Sequence, residues 1–224
     1  IEIASEVISE MHEEAHPEEL LLQLHPDKRT EIVEELDYDD ATDIISQLEE
    51  HEQKEILEDL NEDDASNIRN LMRYDEKTAG GLMNTEVIRI NLNLNKKEAI
   101  DEIIRQSEEI EEFYTVYVVD ENDIFKGIVS LKDIIKAKGN NKITEMVKAD
   151  VVYVKAETDQ EEVARLISQY NLTSIPVVND DMKLLGLVTF DDVIDVLEDE
   201  NTEDFLKISG VSEDEELSGN WIEA

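Results

Sequence analysis

Apolar residues recur along this chain with two different periods, and the change of period divides it. From residue 12 to residue 77, Leu24, Leu36, Leu48, Leu60 and Met72 return every twelve positions, as do Ile32, Ile44, Ile56 and Ile68. Each unit opens on a turn-like polar stretch, HPDK, DYDD, EEHE or NEDD, followed by about eight residues of amphipathic helix. The pairs Asp39, Asp40 and Asp63, Asp64 make acidic first turns, which suit the positive end of a helix dipole. Stacked short helices of this kind are expected to form a right-angled superhelix around one buried apolar stripe.

Gly80 and Gly81 predict a helix break before a first strand over Val87 to Ile90. Beyond them, short apolar runs alternate with helical patterns. The stretch Ser174 to Asp204 reads as a strand (Ile175 to Val178), a turn on Asn179, Asp180 and Asp181, and a second strand (Leu184 to Val188). A helix follows from Phe190, with Phe190, Val193, Ile194 and Leu197 as its apolar face and Asp192, Asp195, Asp199 and Glu203 in a row on the other. Such a row repels itself unless cations sit on it. The pattern occurs once earlier: Thr115 to Val119, Gly127 to Val129 and Ser130 to Lys136 precede their second copies by 59 residues. Lys97 to Ile104 precedes Glu161 to Ser168 by 64 residues, so the first copy has five extra residues between helix and strand. The duplicated unit is strand, helix, two strands, helix, and the whole chain reads as α+β.

Charge adds the next constraint. The 224 residues carry 59 acids and 20 bases, a net charge of -39. Residues 1 to 77 hold 26 acids and 6 bases, 78 to 191 hold 21 and 13, and 192 to 224 hold 12 and 1, so both ends are strongly acidic. Nucleic acid and direct anionic-lipid binding are therefore not expected. Two like charges 4 Å apart cost about 4 kcal/mol at an effective dielectric near 20, and a few such pairs rival a domain's stability. Divalent cations are the natural remedy. The absence of cysteine excludes disulfides and thiolate metal sites, and no apolar run reaches the ~18 residues needed to span a membrane. The chain opens on Ile1, not methionine, and is expected to be part of a longer or processed one.

The repeated G-h-h-[ST]-x-x-D signature, Gly127 to Asp133 and Gly186 to Asp192, resembles a tandem pair of CBS domains. With the acidic helical repeats and the junction YDEKTAGGLMNTE ahead of it, the chain resembles the cytosolic part of the MgtE family of magnesium channels and transporters. That resemblance implies a superhelical N domain over 1–80, CBS domains over 81–145 and 146–200, and a connecting plug helix beginning in 201–224. It implies a homodimer through the CBS domains, on the cytoplasmic face of the membrane, joined to a transmembrane pore that this chain lacks. It also implies magnesium ions between domains, held by Asp63, by the carbonyl of Gly81, by Asp159 and Glu161, by Asp192 and Asp195, and by Glu200, Glu203 and Asp204. Ion binding would favour a compact closed state, and ion loss an open pore.

CBS pairs also bind adenosine nucleotides, and this is the competing reading: a nucleotide-sensing module for some other partner. The better placed site would use Ser130, Lys132 and Asp133, with Leu172 and Pro176 lining a base pocket, since Lys132 can approach phosphate whereas the equivalent Asp191 would repel it. The same Ser130 and Thr189 are equally suited to capping helices. His12 to His16, HEEAH, satisfies the zinc protease pattern H-E-x-x-H, but Pro17 follows at once and no third ligand stands out. Asp120 to Lys126 starts like a calcium loop but has Phe125 where glycine is required, which makes it a hairpin turn. No catalytic constellation emerges, so an enzyme is not expected.

Overall fold

The computed structural model describes residues 1–196 apart from 10, 12–14, 109, 111–112, 114, 139–140 and 195. Among the described residues, six short α-helices come first: α1 (Glu2–Ser9), α2 (Pro17–Gln23), α3 (Pro26–Val33), α4 (Tyr38–Ser46), α5 (Glu50–Asp59) and α6 (Glu62–Leu71). From α3 onward they start at 26, 38, 50 and 62, so the twelve-residue period of the sequence is the period of the helices. His25, Asp37, Glu49 and Asn61 occupy the four N-cap positions. Helices pack on their next-but-one neighbours, α1 on α3 on α5 and α2 on α4 on α6, which gives two stacks around one core. The periodic Ile32, Ile44, Ile56 and Ile68 all lie in that core.

Arg29 is a charged exception to the stripe. It stands where later repeats have Ala41 and Ala65, yet it is 5% exposed. Its guanidinium reaches Glu55 at 2.8 Å and Asp59 at 3.4 Å on α5, while Nε is buried without a partner.

Two three-stranded sheets follow among the described residues. In the first, β1 (Arg89–Asn91) lies parallel to β2 (Thr115–Val119) across the crossover helix α7 (Lys96–Gln106), and β2 forms a hairpin with β3 (Phe125–Ser130). Helix α8 (Leu131–Lys136) completes the unit. The second repeats it with β4 (Val154–Lys155), α9 (Gln160–Tyr170), β5 (Ser174–Val178) and β6 (Leu184–Thr189), then a helical stretch at 190–194. The duplication extends to the irregularities. Thr115 faces Ser130 as Ser174 faces Thr189, and the register slips at Val118/Val119 as at Val177/Val178. Asp123 and Met182, 59 apart, both take a left-handed φ of 61° at the hairpin tips.

The units exchange their leading segments. Residues 78–84 bind the second unit: Ala79 N donates to Thr158 O at 2.7 Å, Gly80 N to Ala156 O at 2.8 Å, and Asn84 and Leu187 exchange backbone bonds of 2.9 Å each. Lys148 exchanges backbone bonds with Ile128 of the first unit at 2.9 and 3.1 Å. Leu71 of α6 lies in the second unit's core with Tyr38 against it, so the helical domain sits on the second unit. Between the units, Tyr117, Val119, Phe125, Val178 and Leu184 form a shared apolar seam, and Tyr117 Oη lies 3.0 Å from Ser174 Oγ.

Three sequence expectations are corrected. Gly80 and Gly81 do not break a helix, because α6 has already ended at Leu71. They lie in a turn where an added Cβ would stand 2.5 Å from the Tyr74 ring or 2.6 Å from Asp75 O. The final helix buries Val193 and Val196 and leaves Phe190 and Ile194 exposed, so its buried stripe is rotated from the expected one. The first strand is also displaced, to Arg89–Asn91.

Candidate cation and nucleotide sites

The first turn of α4 meets the start of the final helix where the helical domain sits on the second unit. The turn carries Asp37, Asp39 and Asp40; the helix start carries Asp191 and Asp192. Tyr38 pins the contact by packing on both cores while its hydroxyl donates to Asp64 Oδ1 at 2.8 Å. Burial, and then the bond to Asp64, push the Tyr38 phenol up to about 12, so it remains a donor at neutral pH.

Asp39 and Asp192 are the core of this cluster. Burial, followed by the charges of Asp192, Asp40 and Asp37, raises the Asp39 carboxyl well above the usual aspartate range. Its Oδ1 is buried without a hydrogen-bond partner. Asp192 is also raised, chiefly by burial, with Asp191 and Asp37 adding to the effect. Thr189 opposes that rise, since its N and Oγ1 both donate to Asp192 Oδ2, at 3.0 and 2.6 Å. Removing a carboxylate from water beside others is unfavourable unless a proton or a cation compensates.

The other expected ligands fall into three groups. Asp63 is exposed in the first turn of α6, its N donating to Asn61 Oδ1 at 3.1 Å. Asp159 caps α9 by accepting from Glu161 N at 2.9 Å, and Glu161 is exposed beside it. Gly81 lies in the junction, and the bridge between Thr78 and Asp159 brings that junction to the α9 N-terminus. Asp195, Glu200, Glu203 and Asp204, with the connecting helix of 201–224, lie outside the described residues. Among the described residues no three histidines or carboxylates are gathered closely enough to hold a metal by themselves. Magnesium retains most of its waters and takes one or two direct carboxylates, so it does not require such a cage.

Sequence reasoning credited Asp39 and Asp40 with favouring a helix dipole and missed that Asp39 lies within the field of Asp192. The available signal was DYDD itself, the repeat opening with three acids and no compensating base or amide.

The nucleotide residues behave first as caps. Ser130 Oγ donates to Asp133 Oδ2 at 2.7 Å and accepts from Asp133 N at 3.1 Å. Lys132 beside them is exposed, Pro176 is buried in β5 opposite Leu187, and Leu172 packs against the second unit's core.

A family model described as the MgtE intracellular N domain matches residues 1–77, and a CBS domain model matches residues 79–140 and 143–199. The magnesium transporter MgtE of Thermus thermophilus is 43% identical over 144 residues, 64% of this chain and 32% of its own. That of Enterococcus faecalis is 37% identical over 157 residues, 70% of this chain and 34% of its own, so the chain spans about a third of these curated relatives. The crystal structure of the cytosolic domain of the Mg2+ channel MgtE in complex with ATP superposes with a TM-score of 0.82 at 37% identity, covering 86% of this chain and 79% of that one. The soluble part of a magnesium transporter gives 0.82 at 30% identity, with 89% and 78% covered.

Proposed function

Because the chain belongs to the MgtE family, matched through its helical domain and both CBS units, we propose that it is the magnesium-sensing regulatory region of a magnesium transporter. It is not an enzyme: the family relatives are transporters, and homoserine O-acetyltransferase of Methanobrevibacter ruminantium aligns over 24% of its own length. The observation that carries the sensing role is the unpartnered, buried Asp39 Oδ1 set against Asp192.

Bound magnesium supplies positive charge to carboxylates that have lost water. Without it, Asp39 and Asp192 repel across the joint and favour separation of the helical domain from the second CBS unit. With it, the apolar contacts of Tyr38 and Leu71 hold the domains closed, a population shift set by the difference in ion affinity between the two states. Asp63, Gly81, Asp159 and Glu161 are proposed as further ligands, as are Asp195, Glu200, Glu203 and Asp204 beyond the described residues. Through the connecting segment, closure at the joint would act on a pore at the cytoplasmic face of the membrane. The exposed Ile135 and Ile194, at matched positions in the two CBS units, support a homodimer through those units.

Small-angle scattering during a magnesium titration tests the reading. The wild type should compact at millimolar magnesium, and Asp39→Asn with Asp192→Asn should remove that response; a wild type indifferent to magnesium would refute it. ATP is a second ligand on this reading, supported by the exposed Lys132 beside Ser130 and Asp133 and by the nucleotide in the related structure. Calorimetric titration with ATP should show binding that Lys132→Glu abolishes.

A further inference from the structure

One end of the first CBS unit gathers lysines on a chain of net charge -39. Asn95 pairs with Lys142, Lys96 N donates to Asn141 O at 3.0 Å, and Lys96 Nζ donates to Ile135 O and Ala137 O at 2.7 and 2.6 Å. These contacts tie the start of α7 to the end of α8 and the segment after it. They place Lys96, Lys97, Lys136, Lys138 and Lys142 together. Lys97, Lys136, Lys138 and Lys142 are exposed, and no ion pair links them to any described residue. Of the acids nearest in sequence, Glu98 Oε2 accepts from Asn95 N at 2.8 Å and Glu145 Oε2 from Asn141 Nδ2 at 2.6 Å, while Asp133 is engaged by Ser130 and Asp101 is exposed on α7.

The fold does not require this charge. Where the first copy has Lys97, Lys132 and Lys136, the second has Glu161, Asp191 and Asp195. The same architecture is thus built with opposite sign at three matched positions. None of the five lysines lines the cavity of about 420 Å³ bounded by Arg89, Gln106 and Asp123. Point charges spread over an exposed surface suit a diffuse negative surface better than a single enclosed phosphate.

We propose that this lysine cluster docks the first CBS unit against an anionic lipid bilayer. The whole-chain charge argued against such a partner, but screening limits each charge to about 8 Å at physiological salt. The acidic helical domain packs on the second unit, and the first unit's core includes none of its residues. The proposal rests on the family reading in one respect: attachment to a membrane-embedded remainder would hold the patch at high effective concentration near lipid, so weak attraction suffices.

Flotation of the chain with vesicles of one part phosphatidylglycerol to two parts phosphatidylcholine, in chelator, tests it. The wild type should float with these vesicles, not with pure phosphatidylcholine, and should be released by salt. Lys136→Glu, Lys138→Glu and Lys142→Glu together should lower partitioning on the order of a hundredfold with an unchanged thermal midpoint. Absence of wild-type flotation, flotation retained by the triple variant, or tighter binding to a DNA oligomer would each overturn the proposal. Magnesium-induced compaction, read by scattering on the same triple variant, depends on Asp39 and Asp192, so the sensing reading and the lipid proposal fail separately.

Discussion

Asp39 is where a single atom decides most. Its Oδ1 lacks a partner in a site that Asp192, Asp40 and Asp37 make more negative, so ionised Asp39 opposes closure. Asp39→Asn removes that charge and should favour the compact form in chelator while reducing the further compaction magnesium gives, both read by scattering. Asp192→Ala should act differently, because it also strips an acceptor from Thr189 N and Oγ1. It should relieve repulsion yet loosen the start of the final helix at a cost of about 1 kcal/mol, the usual value of such a cap. Arg29 poses the converse problem, a buried cation on two partly exposed acids with its Nε unsatisfied. Arg29→Met removes only the cation and leaves Glu55 and Asp59 unpaired in an acidic domain, so it should lower the urea midpoint of the helical domain.

At the scale of elements, the CBS signature glycines have a steric purpose that the sequence pattern did not disclose. An added Cβ on Gly186 would lie 2.3 Å from Asn84 O, and one on Gly127 would lie 2.1 Å from Lys148 O. Each glycine lets the exchanged segment of the neighbouring unit run flush against a β-hairpin. Gly186→Ala should therefore destabilise by about 2 kcal/mol as overpacking. Gly127→Ala should cost more, because its φ of 135° adds backbone strain of roughly 1–3 kcal/mol. Urea denaturation followed by circular dichroism measures both, and equal, negligible losses would contradict the close approach. Local pattern was legible in the sequence because it is periodic: the helices begin every twelve residues, and the two sheets keep their offset of 59 down to the register slip. Exchange of the leading segments was not legible, since backbone pairing between residues 78–84 and the second unit leaves no side-chain signature. For the same reason the double glycine read as a helix break. The Asp39–Asp192 encounter was hidden too: it depends on how one domain is set on another, and neither local pattern encodes that.

For the whole molecule, the joint behaves as a balance between apolar contact and like charge, and pH should tip it as magnesium does. Asp39 and Asp192 hold their protons more firmly in the closed form, where burial raises both carboxyls, than in an open form with values near the ordinary ~3.9. A group that binds its proton more tightly in one state stabilises that state at low pH. That preference fades as pH rises from the ordinary aspartate value through the raised ones, and above them it is gone. In chelator, the chain should accordingly be more compact at pH 5 than at pH 8, read as a smaller radius of gyration. Added magnesium should erase most of the difference, because cation and proton relieve the same charges. Raising sodium chloride to molar levels should compact the chain partly at pH 8 by screening alone, with no need for the specific pair. The double variant Asp39→Asn with Asp192→Asn distinguishes these causes. It should lose most of its response to pH and to millimolar magnesium while keeping its response to salt, which arises from the 26 acids of the helical domain at large. A double variant as sensitive to pH as the wild type would place the titrating groups elsewhere on that acidic surface.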